Sequence, residues 1–107
     1  MGGLYIGMIH PAAKLAEERL RWHVQQQLPK ARVWLFGSRA LQQARRRSDF
    51  DLAVQLSADA PEATLGSFED AVASDSEIIY PVDIVDLRTA SAALKEAVER
   101  DGILWKS

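Results

Sequence analysis

The sequence contains no cysteine, which excludes disulfides, thiolate metal sites and a cysteine nucleophile and leaves His, Asp and Glu as the strong metal ligands. Only His10 and His23 offer an imidazole. No apolar run approaches the length of about 20 residues that a membrane-spanning helix requires, and the stretch Met1 to Ile9 has neither the basic start nor the apolar length of a secretory leader. A cytoplasmic protein with no membrane contact is expected. An excess of one charge is missing too: 13 Lys and Arg face 15 Asp and Glu, for a net charge of -2. The chain therefore has no general affinity for nucleic acid, nucleic acid is not expected as its direct substrate, and any anion binding must be local.

What is present is the composition of a soluble globular protein, with 48% apolar and 26% charged residues in 107. That length suits one domain over residues 1–107, large enough to bury one core. Repeats and low-complexity segments are lacking.

Between Pro11 and Leu28 the apolar residues Ala13, Ala16, Leu20, Val24 and Leu28 recur at steps of three and four, which predicts an amphipathic helix ended by Pro29. Arg32 to Phe36 reads as a buried strand stopping at Gly37-Ser38, and Arg39 to Ser48 as a polar, basic loop or short helix. Asp49 to Leu56 alternates, with Phe50, Leu52, Val54 and Leu56 on one face and Asp49, Asp51, Ala53 and Gln55 on the other. A second helix carries Leu65, Phe68 and Val72 despite Gly66. A third strand lies within Ile78 to Leu87, its pairing half starting at Val82 because Pro81 cannot donate to a ladder. A third helix, capped by Thr89 or Ser91 and closed by Gly102, precedes an apolar tail, Ile103-Leu104-Trp105. The order helix, strand, strand, helix, strand, helix predicts an α/β (α+β) fold, a small mixed sheet flanked by helices.

Asp49 and Asp51 leave one strand from the same face, with Cα atoms roughly 6.5 to 7 Å apart. Carboxylates at that spacing repel unless a cation lies between them, and Mg²⁺ takes hard oxygen ligands. Asp83, flanked by Val82 and Ile84, can complete a three-carboxylate site, whereas Asp86 has the opposite parity and suits a strand-end turn. Gly37-Ser38 after a strand supplies close backbone approach, N–H groups and a hydroxyl for phosphate, although turn conformation alone also favours that pair. Arg39, Arg45, Arg46 and Arg47 lie between that turn and the acidic strand. Arg39 and Arg47 flank the motif and are candidates for phosphate, while Arg45 and Arg46 read as a solvated basic run. Neither histidine is assigned a role, Trp34 is expected in the core, and Trp22 and Trp105 are expected to pack on the sheet or a partner.

Gly37-Ser38, ten residues, then Asp49-Phe50-Asp51, followed by Val82-Asp83-Ile84-Val85, resembles the signature of the polymerase beta-like nucleotidyltransferase superfamily. The short chain is similar to its minimal nucleotidyltransferases, the MNT proteins. The resemblance implies that Gly37 and Ser38 hold a nucleoside triphosphate, with Arg39, Arg47 and Ser48 beside it. It also implies that Asp49 and Asp51 bind two Mg²⁺ ions, and that Asp83 binds one of them while helping to deprotonate the attacking hydroxyl. The pattern departs at Leu41, where many relatives carry glycine, and at the bulkier Gln42-Gln43.

The implied reaction moves AMP from ATP to a hydroxyl and releases pyrophosphate. MNT proteins commonly act as antitoxins of a helical HEPN-type toxin, which they can adenylylate on tyrosine, so that partner and a hetero- or homo-oligomer are expected. The competing reading is a catalytically inactive binding module that neutralises or scaffolds its partner by contact alone. Transfer to a small molecule such as an aminoglycoside is a third, disfavoured because no substrate-binding domain is visible in the sequence.

Overall fold

In the computed structural model, which describes residues 10–45 and 48–106, the first helix, α1, spans Pro11–Gln27. His10 caps it, its Nδ1 accepting from the Ala12 N–H at 3.2 Å, and Pro11 occupies a first-turn position where its missing donor costs nothing. The five apolar residues at helical spacing are all buried, Ala16 and Leu20 completely. Burial of a leucine of this kind contributes roughly 1.5–3 kcal/mol.

Strand β1 (Arg32–Phe36) and strand β2 (Phe50–Gln55) pair antiparallel from Arg32↔Gln55 to Phe36↔Asp51. Helix α2 (Thr64–Ala73) then crosses over, so that strand β3 (Val82–Asp86) lies parallel to β2. Pairing on β3 starts at Val82 as expected, although Pro81 still contributes its carbonyl to the Phe50 N–H at 3.0 Å. Helix α3 (Ala92–Asp101) is capped by Ser91, whose Oγ accepts from Leu94 N–H at 3.1 Å.

The expected apolar tail is instead a fourth strand. Residues Ile103–Lys106 form β4, antiparallel to β1 with a bulge at Val33/Trp34, and the sheet order is β3-β2-β1-β4. Gly102 makes the reversal possible, because a Cβ there would overlap the Val98 carbonyl. The fold is thus α+β, with four strands among the described residues where three were expected.

Alternation sorts the two faces of the sheet. Val33, Leu35, Phe50, Leu52 and Val54 face α1 and α2 and form the main core with Leu20, Val24 and Phe68. The opposite face carries a smaller cluster of Ala53, Leu87 and Val98 under α3. Trp34 falls on this second face and is only partly buried, with Arg32 5.4 Å from its ring centroid, so it lies outside the main core. Trp105 packs on the α1 face, beneath Arg21 at 4.5 Å, while Trp22 is 47% exposed. Among the described residues no helix is long and apolar enough to cross a membrane.

Candidate active site

β1 ends at Gly37-Ser38 as expected, in a single 3-10 turn, Gly37–Arg39. Gly37 adopts φ +74°, a left-handed conformation that glycine takes without steric cost. It also lies directly against the Asp51 side chain: a Cβ on Gly37 would overlap Asp51 Oδ2. Motif turn and acidic strand are therefore in van der Waals contact, as the Phe36↔Asp51 pairing requires. The turn closes through Ala40 N–H to Gly37 O at 3.1 Å and Gln43 N–H to Ser38 O at 2.8 Å. Gln42 sits at φ +58°, so the left-handed residue that follows the motif is a glutamine, one position beyond Leu41.

Asp51 and Asp83 are register partners across the parallel β2–β3 pair, which places both on the face of Ala53, away from the main core. Asp49 and Asp83 are exposed and Asp51 is half-buried. Burial pushes the Asp51 carboxyl above the ordinary carboxylate value, and the charges of Asp83 and then Asp49 push the same way. None of the three carboxylates forms a salt bridge with a described cationic side chain. Asp86 is engaged elsewhere: Arg88 grips it through Nη2 at 2.9 Å and through its backbone N–H at 2.9 Å, which holds its carboxyl below the usual range.

Asp51 and Asp83 on one face, with Asp49 close enough for its charge to raise the Asp51 carboxyl and no described cation paired with any of the three, are the donor set that a hard divalent cation fits. Among the described residues no group of three such side chains is already drawn together around one point. The exposure of Asp49 and Asp83 leaves both free to rotate toward Asp51.

The remaining motif residues are placed unevenly. Ser48 Oγ accepts from Arg45 N–H at 2.7 Å, and the Ser48 carbonyl accepts from Arg39 Nη2 at 2.6 Å and Nε at 3.1 Å. The Arg39 guanidinium lies over the rings of Phe50, at 4.2 Å, and Tyr80, at 5.0 Å. Arg46 and Arg47 are outside the described residues.

Sequence reasoning missed one polar cluster altogether. His23, 6% exposed on α1, bonds Asp75 Oδ2 through Nε2 at 2.7 Å, and Arg19 Nε donates to the same oxygen at 2.8 Å. With the Glu77 N–H on Oδ1, these donors hold the Asp75 carboxyl down at about 2, the Arg19 hydrogen bond contributing most. The cluster pins the α2–β3 connection to α1.

The chain matches the family described as "Polymerase beta, Nucleotidyltransferase" over residues 20–107. No curated protein matches it at a meaningful level. Among solved structures, a chain of a toxin-antitoxin with AMP-PNP superposes with a TM-score of 0.68 at 28% identity, covering 85% of this chain and 73% of that one. A chain from tri-AMPylated Shewanella oneidensis HEPN toxin in complex with MNT antitoxin gives a TM-score of 0.63 at 26% identity, covering 88% and 71%. A structure described as a minimal nucleotidyltransferase gives 0.66 at 26% identity, covering 84% and 92%.

Proposed function

This chain belongs to the polymerase beta nucleotidyltransferase family, and we propose that within it the protein is a Mg²⁺-dependent adenylyltransferase. It moves AMP from ATP to a tyrosine hydroxyl of a HEPN-type toxin and so serves as the antitoxin. The observation that carries this reading is the contact of Gly37 with Asp51 beside the Asp51↔Asp83 register pair, which sets a phosphate-type turn against a cluster of carboxylates that no described cation pairs with. The toxin-antitoxin with AMP-PNP and the tri-AMPylated toxin complex support the choice of nucleotide and acceptor.

In this reading Gly37 and Ser38 bind triphosphate oxygens, with Arg47 and Ser48 at the other end of the motif. Asp49, Asp51 and Asp83 hold two Mg²⁺, which supply charge stabilisation to the transferred phosphoryl group. The tyrosine oxygen attacks the α-phosphorus, its proton passes to Asp83, the bond from the α-phosphorus to the bridging oxygen of the β-phosphate breaks, and pyrophosphate leaves. Such transfer depends on positioning and electrostatics, which a rigid turn and paired strands provide.

The test incubates the chain with its HEPN-type partner, Mg²⁺ and ATP labelled at the α-phosphate. Label on a partner tyrosine, lost in Asp49→Asn/Asp51→Asn, is the expected result. A partner neutralised equally by wild type and double variant, without label, would establish contact-only inhibition.

A further inference from the structure

The contacts of the Arg39 side chain point away from the phosphate role. Its guanidinium covers Phe50, a ring 1% exposed within the α1/α2 core, whereas Asp51 and Asp83 belong to the opposite face of the sheet. Nε and Nη2 converge on one acceptor, the carbonyl of Ser48, which directly precedes Asp49. Phe50 lies between Asp49 and Asp51, and Tyr80, the second ring under the guanidinium, comes three residues before Asp83. Phe50 and Tyr80 meet edge to face at 5.7 Å. Arg39 itself ends the turn that carries Gly37 and Ser38.

We propose that Arg39 is a positioning residue that ties together the three segments delivering the phosphate turn, the Asp49/Asp51 pair and Asp83. This rests on the nucleotidyltransferase reading above. The task needs a forked cation that chelates one carbonyl through two N–H groups while its carbon rests close to both rings; a lysine carries the same charge but has no such fork. Positive charge aimed at a triphosphate, by contrast, is a role that lysine partly fills.

Arg39→Lys, Arg39→Gln and Tyr80→Leu separate these roles in the full chain. The readouts are Mn²⁺ affinity without nucleotide, amide hydrogen exchange across Ser48–Leu52 in the metal-free protein, and the kcat and ATP KM of transfer at saturating metal. Arg39→Lys and Arg39→Gln should behave alike: Mn²⁺ affinity and kcat fall about tenfold or more, as when an outer-shell partner of a metal site is lost. Exchange across Ser48–Leu52 quickens, and ATP KM stays near wild type. Tyr80→Leu shifts the same readouts less and keeps the assay available if an Arg39 variant fails to fold. A lysine variant close to wild type together with a glutamine variant of raised ATP KM overturns the proposal in favour of a phosphate ligand, and unchanged variants overturn it outright. Wild type that binds Mn²⁺ but transfers nothing counts against the adenylyltransferase reading alone, since the metal and exchange readouts still judge Arg39.

Discussion

Gly37 and Asp51 press directly on each other: a Cβ on Gly37 would overlap the Asp51 carboxylate oxygen Oδ2, so any side chain there must push the acid aside. Motif glycine and motif acid are two halves of one contact, made by the Phe36↔Asp51 pairing at the end of β1 and β2.

Gly37→Ala should therefore fail twice. A left-handed alanine costs about 1–2 kcal/mol, and the displaced Asp51 leaves the acidic face. The expected outcome is a lowered melting temperature together with lost Mg²⁺-dependent ATP binding by calorimetry. An alanine variant that binds ATP normally would show that the contact is incidental to the site.

ATP binding should require Mg²⁺, vanish on chelation, and be absent from Asp49→Asn/Asp51→Asn. The same acids predict a stability effect. Because the folded pKa of Asp51 is raised, its contribution is fully present below the ordinary carboxylate pKa and is lost as pH rises through the raised value. Asp51→Asn should accordingly melt higher than wild type at neutral pH in chelator, and added Mg²⁺ should shrink or reverse that difference. Equal melting temperatures in chelator would mean that neither burial nor the neighbouring carboxylates penalise the Asp51 charge.

Asp75 titrates in the opposite sense. Held at about 2, below its ordinary 3.8, it contributes stability that is present above pH 3.8 and lost as pH falls toward 2. Asp75→Asn should lower the melting temperature at pH 7, with the gap to wild type closing under acid. Denaturation curves for the two proteins at pH 7, 4 and 2.5 check this, and a gap independent of pH would mean that packing of the side chain, not its charge, holds the α2–β3 connection to α1.

Gln42→Gly should stabilise. Glutamine at φ +58° carries a left-handed penalty, from which the greater freedom of glycine in the unfolded chain subtracts, leaving a gain on the order of 0.5–1 kcal/mol. Urea unfolding measures it directly; destabilisation would show that the Gln42 side chain makes a contact worth more than the strain.

Much of this site was legible because strands have a period of two. Parity alone set Asp49, Asp51 and Asp83 on one face and Asp86 apart, and the structure pairs Asp51 with Asp83 and gives Asp86 to Arg88. Parity also determined where Trp34 goes, yet its bulk suggested the core; its position two residues from Phe36 puts it on the α3 face, where helical cover is thin. β4 was hidden because four residues carry no usable period and its existence depends on β1, some seventy positions earlier. The His23–Asp75 bond was invisible for a similar reason, since its partners are 52 positions apart and neither belongs to a local motif. Arg39 was read from its neighbours in sequence, while its contacts with Phe50 and Tyr80 depend on rings supplied by β2 and by the approach to β3.

The order β3-β2-β1-β4 has a consequence for synthesis on the ribosome. β1 is made early, acquires β2 within some twenty residues, and then keeps one flank open until Ile103–Lys106 has emerged. For most of translation that flank is a bare row of backbone donors and acceptors beside the apolar Val33 and Leu35, the kind of edge that recruits other chains. Premature termination anywhere between β3 and β4 would thus release a sticky half-sheet, acid cluster and phosphate turn already encoded, with its central strand unguarded.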